Sequence, residues 1–179
     1  MGMVVPLPDL AGLGARLRAA GHRVVLTNGH FDLLHVGHLR LLQGARDLGD
    51  VLVVAVNDDA STRLRKGPTR PIVPAAERIE LLAGFGCVDY VTLFGDPTAE
   101  AVVALLRPDV YVKGGDYAET AAQEAAGCNP LPEAAAVRAH GGVVRILPLT
   151  PGYSTTALAR RLGAAFSGSD PEPVLEGAG

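Results

Sequence analysis

Five short runs of the chain are apolar at nearly every position: RVVLT (23–27), VLVVAVN (51–57), VDYVTLF (88–94), VYVK (110–113) and VVRILPL (143–149). Runs without polar alternation suit strands covered on both faces, as in a parallel sheet. Between them lie VGHLRLLQGARDLG, PAAERIELLAGFG and TAEAVVALLRPD. In these, apolar residues recur at three- and four-residue spacing and stop near Gly or Pro, as helices do. The alternation predicts an α/β fold, a Rossmann-like, doubly wound parallel sheet of five strands, in a single domain over residues 1–166. In such sheets ligands gather beyond the carboxyl ends of the strands, where the connectivity reverses. The remaining SGSDPEPVLEGAG (167–179) is rich in Gly, Pro, Ser and Glu and is expected to be a disordered tail.

Composition narrows the function classes. The chain has 179 residues, is 48% hydrophobic and carries a net charge of -3. That is enough for one sizeable core, but it offers no global basic field to draw the protein onto nucleic acid or an anionic membrane. Neither is expected as a partner, so affinity for phosphate has to be local. The two cysteines, Cys87 and Cys128, stand far apart and match no metal-ligand spacing, which suits a reducing cytoplasm. The start MGMVVPLPDL lacks the basic segment and long apolar core of a secretion signal, and no run approaches the ~18 apolar residues of a membrane span. A cytoplasmic protein is expected.

The stretch TNGHFDLLHVGH, Thr27 to His38, holds three of the five histidines. It leaves the first strand, turns at Gly29 and enters a helix near Val36–His38. His35 and His38, three apart, then share the amino-terminal face of that helix, and Gly37 places no side chain between them. Free backbone N–H groups and the helix dipole favour an anion there, and two imidazoles add directed donors. The pattern points to a phosphate cradle; taken alone, it also fits two histidines that cap a helix or face solvent. A zinc site is a weaker reading, since no third and fourth ligand stand at the usual spacing.

The same stretch resembles the T-x-G-x-F-D-x-x-H-x-G-H signature of the HxGH nucleotidyltransferase superfamily. The resemblance continues through DVLVVAVNDDASTRLRKGPTRPIVPAAERIELLAGFGCVDYV, LRPDVYVKGGDY and PGYSTTALARRL, and covers most of residues 22–162. It is nearest to the heptose 1-phosphate adenylyltransferase domain of bifunctional ADP-heptose synthases, here expected as a stand-alone domain without the sugar kinase. The resemblance implies catalytic roles for His35, His38 and Lys66. It implies nucleotide contacts at Thr27, Asn28, Gly29, Phe31, Gly37, Lys113, Gly115 and Asp116, with the triphosphate at Ser154, Thr155 and Thr156. Asp32, Asn57, Lys66 and Arg78 would face the sugar phosphate. It further implies ATP and a sugar 1-phosphate as partners, Mg²⁺ accompanying the nucleotide, no metal held by protein ligands, and a homodimer.

Each motif also has a plainer reading. RLRKGPTRP (63–71) sets Arg63, Arg65, Lys66 and Arg70 in what reads as a Pro/Gly-rich loop, which fits a solvated basic surface as well as a phosphate clamp. Arg78 in ERIELL also suits a surface i,i+4 ion pair. The two glycines after Lys113 let backbone approach a ligand, and Asp116 is placed to orient a base or ribose. Ser154 is the expected N-cap of the last helix. Three features depart from the family: His30 at a variable position, Tyr153 where a basic residue is common, and a long ETAAQEAAGCNPLPEAAAVRAHGG segment. A cytidylyltransferase acting on an alcohol phosphate such as glycerol 3-phosphate shares the main motifs, and a non-catalytic nucleotide-binding module is the other rival. A dinucleotide-dependent oxidoreductase is disfavoured because no G-x-G-x-x-G follows the first strand.

Overall fold

The computed structural model describes residues 1–115, 117, 119–120, 123 and 127–166. Asp116 and the expected tail at 167–179 lie outside the described residues. The elements run β1 (Met3–Val4), a 3-10 turn (Leu7–Asp9), α1 (Leu10–Ala19), β2 (Val24–Gly29), α2 (Val36–Arg46), β3 (Val51–Asn57), α3 (Asp59–Lys66) and α4 (Ala75–Ala83). There follow β4 (Tyr90–Phe94), α5 (Glu100–Leu106), β5 (Val110–Gly114), α6 (Ala134–Ala139), β6 (Val143–Leu147) and α7 (Thr155–Phe166). The sheet is parallel throughout, in the order β1-β4-β3-β2-β5-β6.

The continuous apolar runs form the strands, and successive residues feed opposite faces, as the twofold period of a strand requires. Val24 and Leu26 of β2, Val53 and Ala55 of β3 and Tyr111 of β5 pack with Leu10, Leu13, Val102, Leu106 and Val137 from α1, α5 and α6. Their neighbours Val25, Leu52, Val54 and Val112 pack on the other side with Leu42, Ala45, Leu82 and Ala83 from α2 and α4. Every residue of β3 is buried. Removing a fully buried side chain such as Leu52 or Leu42 costs about 2–5 kcal/mol.

The sheet has six strands, not five. The extra one, β1, is a two-residue edge strand whose Met3 and Val4 are both exposed, so burial left no pattern to read. A second correction concerns RLRKGPTRP. Arg63, Arg65 and Lys66 lie in helix α3; the loop begins only at Gly67. Asp58 caps that helix by accepting the Ser61 N–H at 2.7 Å, and Gly67, at φ +98°, ends it. No helix among the described residues is long and apolar enough to cross a membrane.

Two features aim the chemistry at one end of the sheet. At the amino ends of the strands, Asp109 accepts from Val24 N–H and Asp89 from Leu52 N–H, closing that edge with structural bonds. At the carboxyl ends, β2 lies between β3 and β5, so the chain runs away from β2 to one side through β3 and β4 and returns on the other through β5 and β6. The crevice at that reversal is where the HVGH stretch emerges.

Candidate active site

After β2 the backbone climbs through Phe31, at φ +48°, and reaches His35 in an extended conformation at the N-cap of α2. His35 makes no side-chain capping bond, so the capping explanation of the histidine pair fails. Its ring instead stacks on that of His38, with centroids 3.9 Å apart and planes 18° from parallel. Phe31, itself buried, sets its ring edge against His38 at 5.3 Å. Two glycines make room for this. A Cβ on Gly37 would stand 2.9 Å from His35 Nδ1 and 3.2 Å from Tyr153 Cβ, and one on Gly29 would meet the Phe31 ring at 3.2 Å.

Burial, then the neighbouring His35, pushes the His38 pKa down to about 4. Burial lowers His35 as well. Both rings are therefore neutral at pH 7 and offer N–H donors without a full charge. The Nδ1 atoms of both are buried and have no hydrogen-bond partner among the described residues.

A cationic wall faces the pair. His30 Nδ1 lies 3.1 Å from Thr62 Oγ1, and its pKa falls to about 4 through burial and then the charges of Lys66, Arg65, Arg78 and Lys113. The field that expels a proton from His30 is the field an incoming anion meets. Thr62 and Lys66 stand four apart on α3, so both reach the same face. Burial works to raise the pKa of Asp32, but the Val73 N–H, the Arg70 guanidinium and the Ile72 N–H outweigh it and hold the carboxylate below its usual range. Those bonds, at 2.9, 2.8 and 2.6 Å, pin the loop after α3 and set Arg70 on the rim of the site.

Several residues expected at the ligand lie beneath it. Thr27 is wholly buried, and its hydroxyl donates to the Val112 carbonyl at 2.9 Å, tying β2 to β5. Arg78 is wholly buried too, which overturns the surface ion-pair reading. Its Nε donates to the Val73 carbonyl, its Nη1 to the carbonyls of His30 and Asn57, and its Nη2 to Asp59 at 2.7 Å. One guanidinium thus joins the ends of β2 and β3 to the loop before α4. Asn57, nearly buried, reaches Ser61 at 3.4 Å.

The remaining residues surround three adjoining hollows. The central one, about 340 Å³, is lined by His30, His38, Lys66, Arg70, Thr155 and Thr156, with Asp32 and Phe31 behind. A second, about 210 Å³, shares His38 and Thr155 with it and continues along Gly37, Leu41, Leu149 and Tyr153. A third, about 330 Å³, shares His30 and Lys66 and continues past Asn28, Gly29, Asn57, Lys113 and Glu133. Ser154 caps α7 as expected, accepting from the Ala157 N–H at 3.0 Å, which leaves Thr155 and Thr156 to the central hollow. Gly115 follows β5 at φ +126°.

Stacked donors, hydroxyls at a helix start and converging cations around one crevice describe a site for polyphosphate. The sequence model of the cytidylyltransferase-like family matches residues 26–161, from the end of β2 into α7. The chain belongs to that family. As one of these nucleotidyltransferases it is 48% identical over 153 residues to the bifunctional protein HldE of Streptomyces coelicolor, a match covering 86% of this chain and 31% of that protein. The HldE of Azotobacter vinelandii is 47% identical over 144 residues, covering 80% and 28%. The chain thus spans less than a third of the length of these curated relatives. Among solved structures, the lipopolysaccharide core biosynthesis protein of Thermoplasma volcanium superposes with a TM-score of 0.56 at 27% identity, covering 73% of this chain and 98% of that one. Pantoate-beta-alanine ligase of Francisella tularensis, at 12% identity and a TM-score of 0.54 over 84% of this chain and 69% of that one, shares the fold.

Sequence reasoning passes over Thr62 and Glu133. For Thr62 a signal exists: with Asp58 and Gly67 read as caps, Thr62 and Lys66 fall on one helix face. For Glu133 there is none, because it enters through the packing of a segment remote from the motifs.

Proposed function

We propose that this nucleotidyltransferase transfers the AMP part of ATP to a heptose 1-phosphate, giving an ADP-heptose and pyrophosphate. The observation that carries the transfer chemistry is the central hollow, where a neutral histidine pair faces Thr155 and Thr156 with Lys66 and Arg70 between them. The choice of sugar rests on the resemblance of HVGH, KGGDY and STTAL to heptose adenylyltransferases, supported by 48% identity to an HldE protein.

The nucleophile needs no base, since a sugar phosphate with a second pKa near ~6 is already ionised at pH 7. Its oxygen attacks the α-phosphorus in line, the bond to the β-phosphate oxygen breaks, and pyrophosphate leaves with that electron pair. Alignment and charge neutralisation remain for the protein. His35 and His38 donate hydrogen bonds to oxygens that gain charge in the transition state. Their low pKa values keep both rings neutral, as donors with no extra proton to give up. Lys66, which lines both the central and the third hollow, screens one anion from the other. The second hollow, apolar along Leu41, Leu149 and Tyr153, suits the nucleoside. Magnesium enters as part of the substrate, MgATP. Among the described residues no group of three His, Cys, Asp or Glu stands ready to hold a metal, and Asp32 is taken up by Arg70 and two N–H groups.

The test is incubation with ATP or CTP and a panel of sugar 1-phosphates and glycerol 3-phosphate, reading product mass and pyrophosphate. ADP-heptose is expected. Exclusive use of CTP favours the second reading, a cytidylyltransferase, to which the family description itself points.

A further inference from the structure

The third hollow has a chemistry unlike the other two. It touches neither His35, His38 nor any residue of α7, and it meets the central hollow only at His30 and Lys66. A nucleotide with phosphates in the central hollow and its base along Tyr153 leaves this space empty, with its mouth at the two residues where the phosphates end.

Its wall is built from groups deep in the fold. Glu133 is 4% exposed and accepts the Ala99 N–H at 2.8 Å through Oε1. It lies against the Tyr111 hydroxyl, whose pKa burial and the Glu133 charge drive well above the usual phenol range. That hydroxyl donates to Asn28 Oδ1 at 2.5 Å, so the Asn28 amide is held with its NH₂ group as the remaining polar edge. Lys113 Nζ donates to the Asn28 carbonyl at 3.2 Å and keeps two further N–H donors. The burial of Glu133 and Lys113 is tolerated because each has partners, yet both also line an open space.

Alternating acceptor and donors match vicinal hydroxyls, each of which both gives and receives a hydrogen bond. Arg65, Lys66 and Lys113 supply the positive charge that a phosphate on the same molecule requires. We propose that this hollow is the acceptor subsite and that Glu133 is its specificity-determining residue, accepting hydrogen bonds from the hydroxyls of a phosphorylated polyol. The inference rests on the transfer reading above and moves Lys113 from the nucleotide, where the resemblance had put it, to the acceptor. A site built around a buried carboxylate discriminates strongly, because an analogue lacking the matching hydroxyl leaves that carboxylate unpaired.

The experiment is titration calorimetry on the wild type, Glu133→Gln and Lys113→Met, with MgATP, a heptose 1-phosphate and inorganic phosphate as separate probes, beside product mass for the wild type. The amide introduced by Glu133→Gln keeps an oxygen for the Ala99 N–H. Glu133→Gln is expected to weaken heptose 1-phosphate at least about tenfold and leave MgATP and inorganic phosphate within about twofold. Lys113→Met is expected to weaken heptose 1-phosphate and inorganic phosphate but not MgATP. Should Glu133→Gln fail to fold, Lys113→Met decides alone. Loss confined to MgATP, or no change for the sugar phosphate in either variant, overturns the subsite, while ADP-heptose formed by the wild type leaves the transfer reading standing. Conversely, variant-sensitive binding of the sugar phosphate without product sinks the transfer reading and keeps the subsite. No binding of sugar phosphate by the wild type overturns both.

Discussion

His35 and His38 hold their imidazole rings 3.9 Å apart, nearly parallel, with both Nδ1 atoms buried. Two rings so close and so poorly solvated resist sharing even one positive charge. Their catalytic asset is therefore a pair of fixed donors, in place before the phosphate arrives and costing no reorganisation when charge develops.

If donation and not proton transfer is the role, His38→Ala should lower turnover by about 10²–10³, as loss of one oxyanion donor does. The KM for ATP should change far less. His38→Asn keeps an N–H that cannot titrate and should retain more activity than the alanine variant. Equal loss in both, with the fold intact by circular dichroism, would restore general-acid catalysis.

Acid should loosen the fold through the same residues. His30 and His38 titrate near 4 in the native state against 6.5 in the unfolded chain, so between those values the unfolded state binds more protons. The stability present above pH 6.5 is thus lost progressively as pH falls from there to about 4. Urea midpoints at about pH 7, 5.5 and 4.5 should fall in that order, less steeply in His38→Asn. A His38 NMR titration centred at its ordinary value of 6.5 would contradict the neutral-pair argument.

Lys66 borders the two hollows in which two anions are pressed together. Lys66→Ala is expected to reduce kcat by a larger factor than it raises the Kd for ATP, because screening matters most in the transition state. Steady-state kinetics beside calorimetry separates the two, and unchanged turnover would make Lys66 a solvated surface cation.

Gly37→Ala sets helix propensity against site geometry. Alanine in a helix is favoured over glycine by ~1 kcal/mol, so the melting temperature should hold or rise. The added methyl, however, would stand 2.9 Å from His35 Nδ1 and must displace that ring. At least a tenfold fall in kcat with an undiminished melting temperature is expected; full activity would show that His35 can shift without consequence.

Arg78 separates a positioning role from direct contact with substrate. Removing the guanidinium would leave Asp59 and the carbonyls of Val73, His30 and Asn57 without their donor, for a cost of about 3–5 kcal/mol. Arg78→Ala should show it as a lower denaturant midpoint, and Arg78→Lys should recover little, since one ammonium cannot span all four acceptors. Unchanged stability with a raised KM for the sugar phosphate would return Arg78 to the acceptor.

What the sequence by itself determined is whatever a few neighbouring residues can encode. The unbroken apolar run of β3 announces a strand covered on both faces, the His-x-Gly-His spacing places two rings on one helix face with room between them, and Ser154 announces its cap. Where the local signal is weak it misleads. Mostly polar α3 reads as a loop, and the exposed two-residue β1 has no periodicity to show. Only the tertiary structure decided which polar groups became floor and which became wall. Thr27 meets Val112, Tyr111 meets Asn28 and Arg78 meets His30 across 85, 83 and 48 residues of chain. The same hydroxyl or guanidinium would serve a ligand if exposed. In this protein, packing of the two helical layers on the sheet buried Thr27 and Arg78 against backbone acceptors, and brought Glu133, unmarked by any local pattern, to the edge of a hollow beside Lys113.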